Sequence, residues 1–334
     1  MGWKGTVRSI NAAIRAAERD AKRRQRELER RQKEYAKMLE LERAAYEVEV
    51  YENYIDRLIS LHKECSAPVD WQRIAEAPPP REPKPSHKLE DQAQQEWIEY
   101  EPSFFDKLLK RGEAKKAELL EKVELAKQED ERRYQAELRR YEEKLKDWQD
   151  SKAFAEQVLA GEEEAYMEAV KELNGFNELG EIGSSVTLEI DNGKPVEALL
   201  HVHGEQVIPK EQKSLLKSGK LSTKQMPKGK YYELYQDSVC SAVLRVAREL
   251  FAMLPIEIVI VTAMDELLNT QTGHLEEQPI LSAAIPRRTL EGLNMEMIDP
   301  SDSMQNFVHN MDFKKTKGFQ AVERVKPSDL QPAS

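Results

Sequence analysis

Cysteine and glycine are both scarce in this chain: 334 residues hold only 2 cysteines, Cys65 and Cys240, and 14 glycines. Two thiols so far apart in sequence make no disulfide framework, and a reducing cytoplasm is the simplest setting for them. No apolar run approaches the roughly 18 residues that span a bilayer, and the first twenty residues lack the apolar segment of a signal peptide. The opening Met-Gly-Trp-Lys-Gly-Thr fits the loose N-myristoylation pattern, which has meaning only in a eukaryotic host. Gly-rich phosphate loops, nucleophile elbows and CxxC pairs are all missing, which withholds the nucleotide-binding, hydrolase and zinc-ribbon readings those motifs carry. Between Thr6 and His62 there is neither proline nor glycine.

What fills that first stretch is Ala, Glu, Arg, Lys, Leu and Gln, the strongest helix formers, so Thr6 to His62 reads as a helix of about 85 Å, and residues 1–66 as a long-helix segment with a basic N-terminal arm. Residues 1–37 contain twelve Lys or Arg against five Asp or Glu, about +7 within a total of −10, leaving about −17 for the rest. That balance argues against coating by nucleic acid but leaves a basic arm. Asp20 to Lys33 is almost wholly charged, whereas Met38, Leu41, Ala45, Val48, Ile55 and Leu58 form a heptad-like stripe with a polar gap at Glu52.

Residues 67–102 change character. Ala77-Pro-Pro-Pro-Arg-Glu-Pro-Lys-Pro-Ser is restricted to extended or polyproline conformation, and Trp71, Ile74, Trp97 and Tyr100 on either side are expected to pin this connector against a helix. Residues 103–175 then hold a second long helix and a short one. The long one opens with Phe104, Phe105, Leu108 and Leu109, and Tyr134, Leu138, Tyr141, Leu145 and Trp148 give it a seam at steps of four and three. The two long helices fold back as an antiparallel coiled-coil hairpin in the simplest arrangement, with parallel self-association as the rival. Gly161 interrupts the second helix, and Asn174-Gly175 closes the short one.

From Ser184 the apolar period becomes 2. Val186, Leu188 and Ile190 are followed by Asp191-Asn-Gly-Lys and by Val196, Ala198, Leu200 and Val202, a hairpin. A three-residue loop, Asn192 to Lys194, places both apolar sets on one face and sets Glu189 opposite Glu197. Residues 209–230 carry Lys210, Lys213, Lys217, Lys220, Lys224, Lys228 and Lys230 against the single acid Glu211, and read mainly as loop. Val239, Val243, Val246, Leu250 and Leu254 mark an amphipathic helix with Arg245, Arg248 and Glu249 on its opposite side. Ile256 to Val261 is then a central strand covered on both faces. Gln278 to Ile285 reads as a strand, Arg287 to Leu293 as a short helix, and Asp299-Pro-Ser-Asp as the start of a helix ending near Met311. The expected fold class is therefore α+β: a long N-terminal helical coiled-coil hairpin, then a small α/β domain with a mixed sheet over 182–326, then a disordered tail, 327–334.

Asp70-Trp71, Ala77-Pro-Pro-Pro, Pro102-Ser-Phe-Phe-Asp, Ile208-Pro-Lys, Tyr235-Gln-Asp, Arg245-Val-Ala-Arg-Glu-Leu-Phe, Thr272-Gly-His, Asp299-Pro-Ser-Asp and Phe313-Lys-Lys-Thr-Lys-Gly-Phe together resemble a group of uncharacterised bacterial proteins, over most of the chain from Asp70. The resemblance implies a bacterial origin and no reaction type.

Three constellations have chemical content. His201 and His203, at i and i+2 on a strand, lie about 7 Å apart and could share a divalent metal if Asp265 or His274 supplied a further ligand; two solvated histidines are the plainer reading. Asp265-Glu266, with Thr272-Gly273-His274 nearby, ends the central strand where an α/β sheet places a ligand, or is an ordinary polar loop. A nuclease site of the PD-(D/E)xK type needs an acid-x-lysine on the second hairpin strand, and Glu197-Ala-Leu has none. Finally, Lys213, Lys217, Lys220, Lys224, Lys314, Lys315 and Lys317 could contact phosphates, with Tyr231, Tyr232, Phe313 or Phe319 for stacking. The leading expectation is a non-enzymatic interaction or scaffold protein, needing no cofactor, whose partner is another protein or itself. The alternative is a nucleic-acid-directed binder or metal-dependent enzyme in bacterial defence or repair.

Overall fold

The computed structural model of the chain describes residues 30–31, 40–102, 111–176, 179–180, 184–191, 195–269 and 272–330. The basic arm, Met38, the Phe104 to Leu109 patch and the Asn192 to Lys194 loop lie outside them. Gln72–Ala155 form one compact unit, and the described parts of Ser9–Trp71 and Glu156–Ser334 form the other. No helix of the described residues is long and apolar enough to cross a membrane.

The helices are α1 (Glu40–Ile59), α2 (Lys88–Glu99), α3 (Gly112–Ala160), α4 (Glu163–Leu173) and α5 (Lys228–Met253). The strands are β1 (Ser185–Glu189), β2 (Val196–His201), β3 (Glu211–Leu215), β4 (Leu221–Gln225), β5 (Ile258–Leu268), β6 (Leu275–Pro286), β7 (Val308–Lys314) and β8 (Gly318–Gln320).

In the first unit, the proline-rich stretch is a strap laid along α3. Ala77, Pro80 and Pro83 are half-buried while most residues between them are exposed. That recurrence of three is the repeat of a polyproline II helix, so one edge of the strap is turned inward. Trp148 pins its start by donating Nε1–H to the Ala77 carbonyl at 2.7 Å. At its other end, where α2 begins, the buried Asp130 of α3 accepts from the Leu89 and Glu90 N–H groups at 2.8 and 3.0 Å. A carboxylate from elsewhere in the chain thus caps a helix whose own N-cap residue, His87, makes no side-chain cap. Further along, Lys122 pairs with Glu96, and the Lys116 ammonium sits 5.3 Å from the Trp97 ring centre. The seam Tyr134, Leu138, Tyr141, Leu145 and Trp148 is half-buried throughout. The 49-residue α3 ends at Gly161, whose φ of +77° only glycine adopts freely, and Asn174 at φ +50° closes α4.

The second unit is built around a six-stranded mixed sheet in the order β1-β2-β5-β6-β7-β8, antiparallel except for the parallel pair β2/β5. Glu189 lies opposite Glu197. That is the register the alternation demanded, because slipping it by one would turn every apolar side chain to the wrong face. Val196, Ala198 and Leu200 of β2 and Val259, Val261 and Ala263 of β5 face α5 and are buried. On the opposite face Ile260 and Ala284 pack under Val325 of the C-terminal segment. That segment is held by Val322 N–H to the Pro279 carbonyl and by Val325 N–H to Ser282 Oγ, both at 2.9 Å. It continues into a 3-10 turn, Pro327–Leu330, so ordered chain runs further than the tail's composition suggests.

The long N-terminal coiled-coil hairpin is not shown: beyond residues 30–31, the described part of the first helix is the 20-residue α1, which packs against α5 and the β3–β4 hairpin. Three further expectations need correcting. Residues 209–230 are not mainly loop: β3 and β4 pair from Glu211↔Gln225 to Leu215↔Leu221, closed by a turn with Gly219 at φ +79°. The helix begun by Asp299 is Pro300–Ser303 with one 3-10 turn after it, and Met311 lies in β7. The polar side of α5 does not face solvent. Ser238, Ser241, Arg245 and Glu249 are all buried: the chain from Leu61 to Trp71 covers Ser241 and Glu249, Arg245 pairs with Glu249, and Ser238 faces Val202 to Gly204. His62 sets both its N–H and its Nδ1 on Ser241 Oγ at 3.1 and 2.9 Å, and Ser66 N–H donates to Glu249 Oε1 at 2.9 Å. Val69 N–H reaches the Ala252 carbonyl at 2.8 Å, and Trp71 Nε1–H reaches that of Met253 at 2.7 Å. Burial holds the His62 imidazole below its usual range, so it stays neutral. On α1 the residues turned inward are Ala44, Val48, Tyr51, Ile55 and Leu58, in steps of four and three, with Tyr51 bridging the gap at Glu52.

Arg287 completes the end of α5. Its guanidinium donates to the carbonyls of Phe251, Leu254 and Ile256 at 2.8 to 2.9 Å and stacks 4.8 Å from the Phe251 ring centre. Arg287→Lys keeps the charge but at most one of these three bonds, so it should cost about 2 kcal/mol of stability. Urea unfolding of the two proteins checks this, and a loss below about 0.5 kcal/mol would mean the fork is not used.

Candidate functional site

The parallel strands β2 and β5 run side by side up to His201 and Met264, and the end of β2 is where an α/β sheet offers room for a ligand. Strand β5 itself continues to Leu268, so that Asp265, expected at its end, lies within it opposite Gln278. Asp265 stands there on the α5 side of the sheet. It is buried, accepts from Tyr235 O–H and from Glu266 N–H at 2.8 Å, and is bonded by the Gly204 backbone. Burial is the leading influence and pushes its carboxyl up, against the pull of these donors and of His203 nearby. Gly204 is required at this point, since a Cβ there would fall 2.0 Å from the Tyr235 ring. The cavity alongside, bounded by His203, Tyr235, Ser238 and Ala242, measures about 20 Å³. It has room for one water and for no organic ligand. The arrangement therefore acts as a polar rivet between α5 and β5.

The metal candidates are not assembled around one point. His201 points to the other face of the sheet, where its Nδ1 meets Glu277 Oε1 at 2.5 Å. His203 lies past the end of β2 and precedes the short helix Gly204–Val207. His274 is exposed in the β5–β6 turn, its N–H directed to Thr272 Oγ1. Only His203 and Asp265 are neighbours, and among the described residues no group of three or more His, Cys, Asp or Glu could hold a metal.

The lysines divide in two. Lys213 pairs with Glu47 of α1 at 2.9 Å and Lys220 with Glu40 at 3.6 Å, which fastens the β3–β4 hairpin to α1. Lys315 pairs with Glu233 at 2.9 Å, and Lys314 lies 3.9 Å from Asp312. By contrast Lys217, Lys224 and Lys317 are exposed, and their ammonium groups make no ion pair among the described residues.

Two features went unnoticed in the sequence. The first is a cleft of about 510 Å³ in the first unit, between strap and α3, lined by Lys84, Lys88 and Arg133 and by Asp91, Asp130 and Glu137. Its volume suits a small ligand, but its charges cancel. The second is a carboxylate cluster, in which Asp237 of α5 approaches Asp299, Glu233 and Asp302 and is bonded by Ser301. Burial first, and these like charges after it, raise Asp237 to about 6. The signal was present as Tyr235-Gln-Asp and Asp299-Pro-Ser-Asp, but nothing in the sequence placed the two together.

Comparisons of the chain with protein-family models, with curated protein sequences and with solved structures find no match. Geometry alone therefore carries the functional reading.

Because the folded-state value of Asp237 lies above the 3.8 of an ordinary Asp, its contribution is fully present below pH 3.8 and is lost as pH rises through about 6. Asp237→Asn removes the burdened charge and should stabilise the protein at pH 7.5 by about 1 kcal/mol, after discounting for partial exposure. The gain should vanish near pH 4. Thermal unfolding at both pH values measures it, and an equal shift at the two would contradict the assignment.

Proposed function

We propose that the chain is a non-enzymatic interaction protein, in which the long helix serves as a coiled-coil element for assembly and the α/β unit recognises a partner. The observation that carries this reading is the apolar surface left without cover inside each unit. In the first unit, Leu120 and Leu125 of α3 and Ile98 of α2 are 56%, 59% and 67% exposed. In the second, Leu268 and Leu275 lie directly opposite each other near the end of the long β5–β6 hairpin, 60% and 65% exposed. Single exposed leucines are ordinary, but apolar side chains gathered on projecting elements mark contact surfaces. The charge-cancelled cleft and the sealed Asp265 site give no competing support for catalysis.

On this reading the full chain self-associates at micromolar concentration through α3. Leu120→Lys with Leu125→Lys should shift it to monomer without lowering its unfolding midpoint, because neither leucine is buried. Sedimentation equilibrium of both proteins is the test. A wild-type chain that remains monomeric throughout the micromolar range would contradict self-assembly.

A further inference from the structure

We propose that the second unit carries a binding surface for single-stranded nucleic acid, made by the outer face of the β3–β4 hairpin, the first turn of α5 and the β7–β8 turn. This goes beyond assembly and stands on different residues. Lys224 of β4 and Lys210, whose carbonyl accepts Met226 N–H at 2.9 Å, share the hairpin face that does not carry Lys213. Three residues after Gln225 the chain enters α5 with Lys228 and Lys230 in its first turn. The β7–β8 turn is held against that same turn of helix. Lys315 pairs with Glu233, and Gly318 sits so close to Tyr232 that a Cβ there would lie 2.8 Å from the ring. Lys317 is therefore brought to the same place.

Five lysines, 210, 224, 228, 230 and 317, thus belong to neighbouring segments of an acidic chain, and all five are exposed, with ammonium groups in no ion pair among the described residues. Of the acids close by, Glu233 pairs with Lys315, Asp312 lies near Lys314, and Glu211, opposite Gln225, is on the other face of the hairpin, while Asp237 stands within the carboxylate cluster behind Glu233. Excess cations that the fold itself leaves unneutralised suit a polyanion. The same first turns of α5 carry Tyr231 and Tyr232, partly exposed, with rings 5.4 Å apart and nearly perpendicular. Lysines for the backbone interleaved with aromatic rings for the bases is the pattern of single-strand binding. A duplex, with its bases stacked inside, would leave the tyrosines unused.

Lys213 and Lys220, committed to α1, have no part in this surface. The test is fluorescence anisotropy of the full chain with a labelled oligothymidylate of about 20 residues and with a duplex of equal length, across a salt series. Each phosphate contact on a single strand contributes about −0.7 to the slope of log affinity against log salt, so five lysines give about −3.5. Lys224→Ala, Lys228→Ala and Lys317→Ala together should reduce the slope to about −1.4 and weaken binding at least tenfold at low salt. The matching triple change to Arg should keep the slope, and Lys213→Ala with Lys220→Ala should leave it unchanged. Absence of binding at low salt, equal affinity for the duplex, or an unaltered slope in the alanine triple would each overturn the proposal.

Discussion

Burying the polar side of α5 is the constraint on which the second unit depends. A helix covered all round cannot leave Ser238, Ser241, Arg245 and Glu249 to water, so each must find partners inside the protein. Arg245 and Glu249 pair at 2.9 Å. The chain from Leu61 to Trp71 adds the His62 N–H and ring to Ser241, the Ser66 N–H to Glu249 Oε1 and the Trp71 indole to the Met253 carbonyl, with Glu249 Oε2 left without a hydrogen bond among the described residues. Removing either member of such a buried ion pair typically costs about 3 to 5 kcal/mol, because the other charge is left stranded. The segment that leads away from α1 is consequently part of the α5 core.

The first unit solves the opposite problem. A 49-residue helix with a strongly charged surface has little to bury, and a polyproline strap needs no backbone hydrogen bonds of its own. The strap covers the aromatic seam at the cost of fixing few dihedrals, since proline has already surrendered its freedom in the unfolded chain. Two pins suffice, the Trp148 indole at one end and the Asp130 carboxylate at the other.

Much of this was legible in the residues. The period-2 pattern from Val186 to Leu200 carried both the hairpin and its register, because one buried face tolerates no slip. The prolines announced an extended strap, but its pins are Trp148 and Asp130 of α3, while the flanking Trp71 is bonded to the Met253 carbonyl. What misled was polarity without context. Lys213, Lys220 and Gly219 read as loop, yet a two-stranded hairpin fastened to α1 by Lys213 with Glu47 and Lys220 with Glu40 has no need of apolar alternation. Arg245 and Glu249 read as a solvent face, since neither periodicity nor charge reveals that a segment some 180 residues earlier will cover them. For the candidate site, the place of Asp265 on the central strand was readable, but not that the strand would run on past it to Leu268 in a long hairpin with β6. Nor was it readable that Tyr235 and Gly204 would close the site, because both come from outside the strand.

The central claim, that Leu61 to Trp71 belongs to the α5 core, is most directly tested by native-state hydrogen exchange of the full chain. The amides of His62, Ser66 and Val69, bonded to Ser241, Glu249 and Ala252, should exchange only through the same opening as the core strand amides of Val259 and Val261. Exchange of these three through a separate opening several kcal/mol cheaper, with β5 still protected, would show the segment to be an appendage and contradict the account.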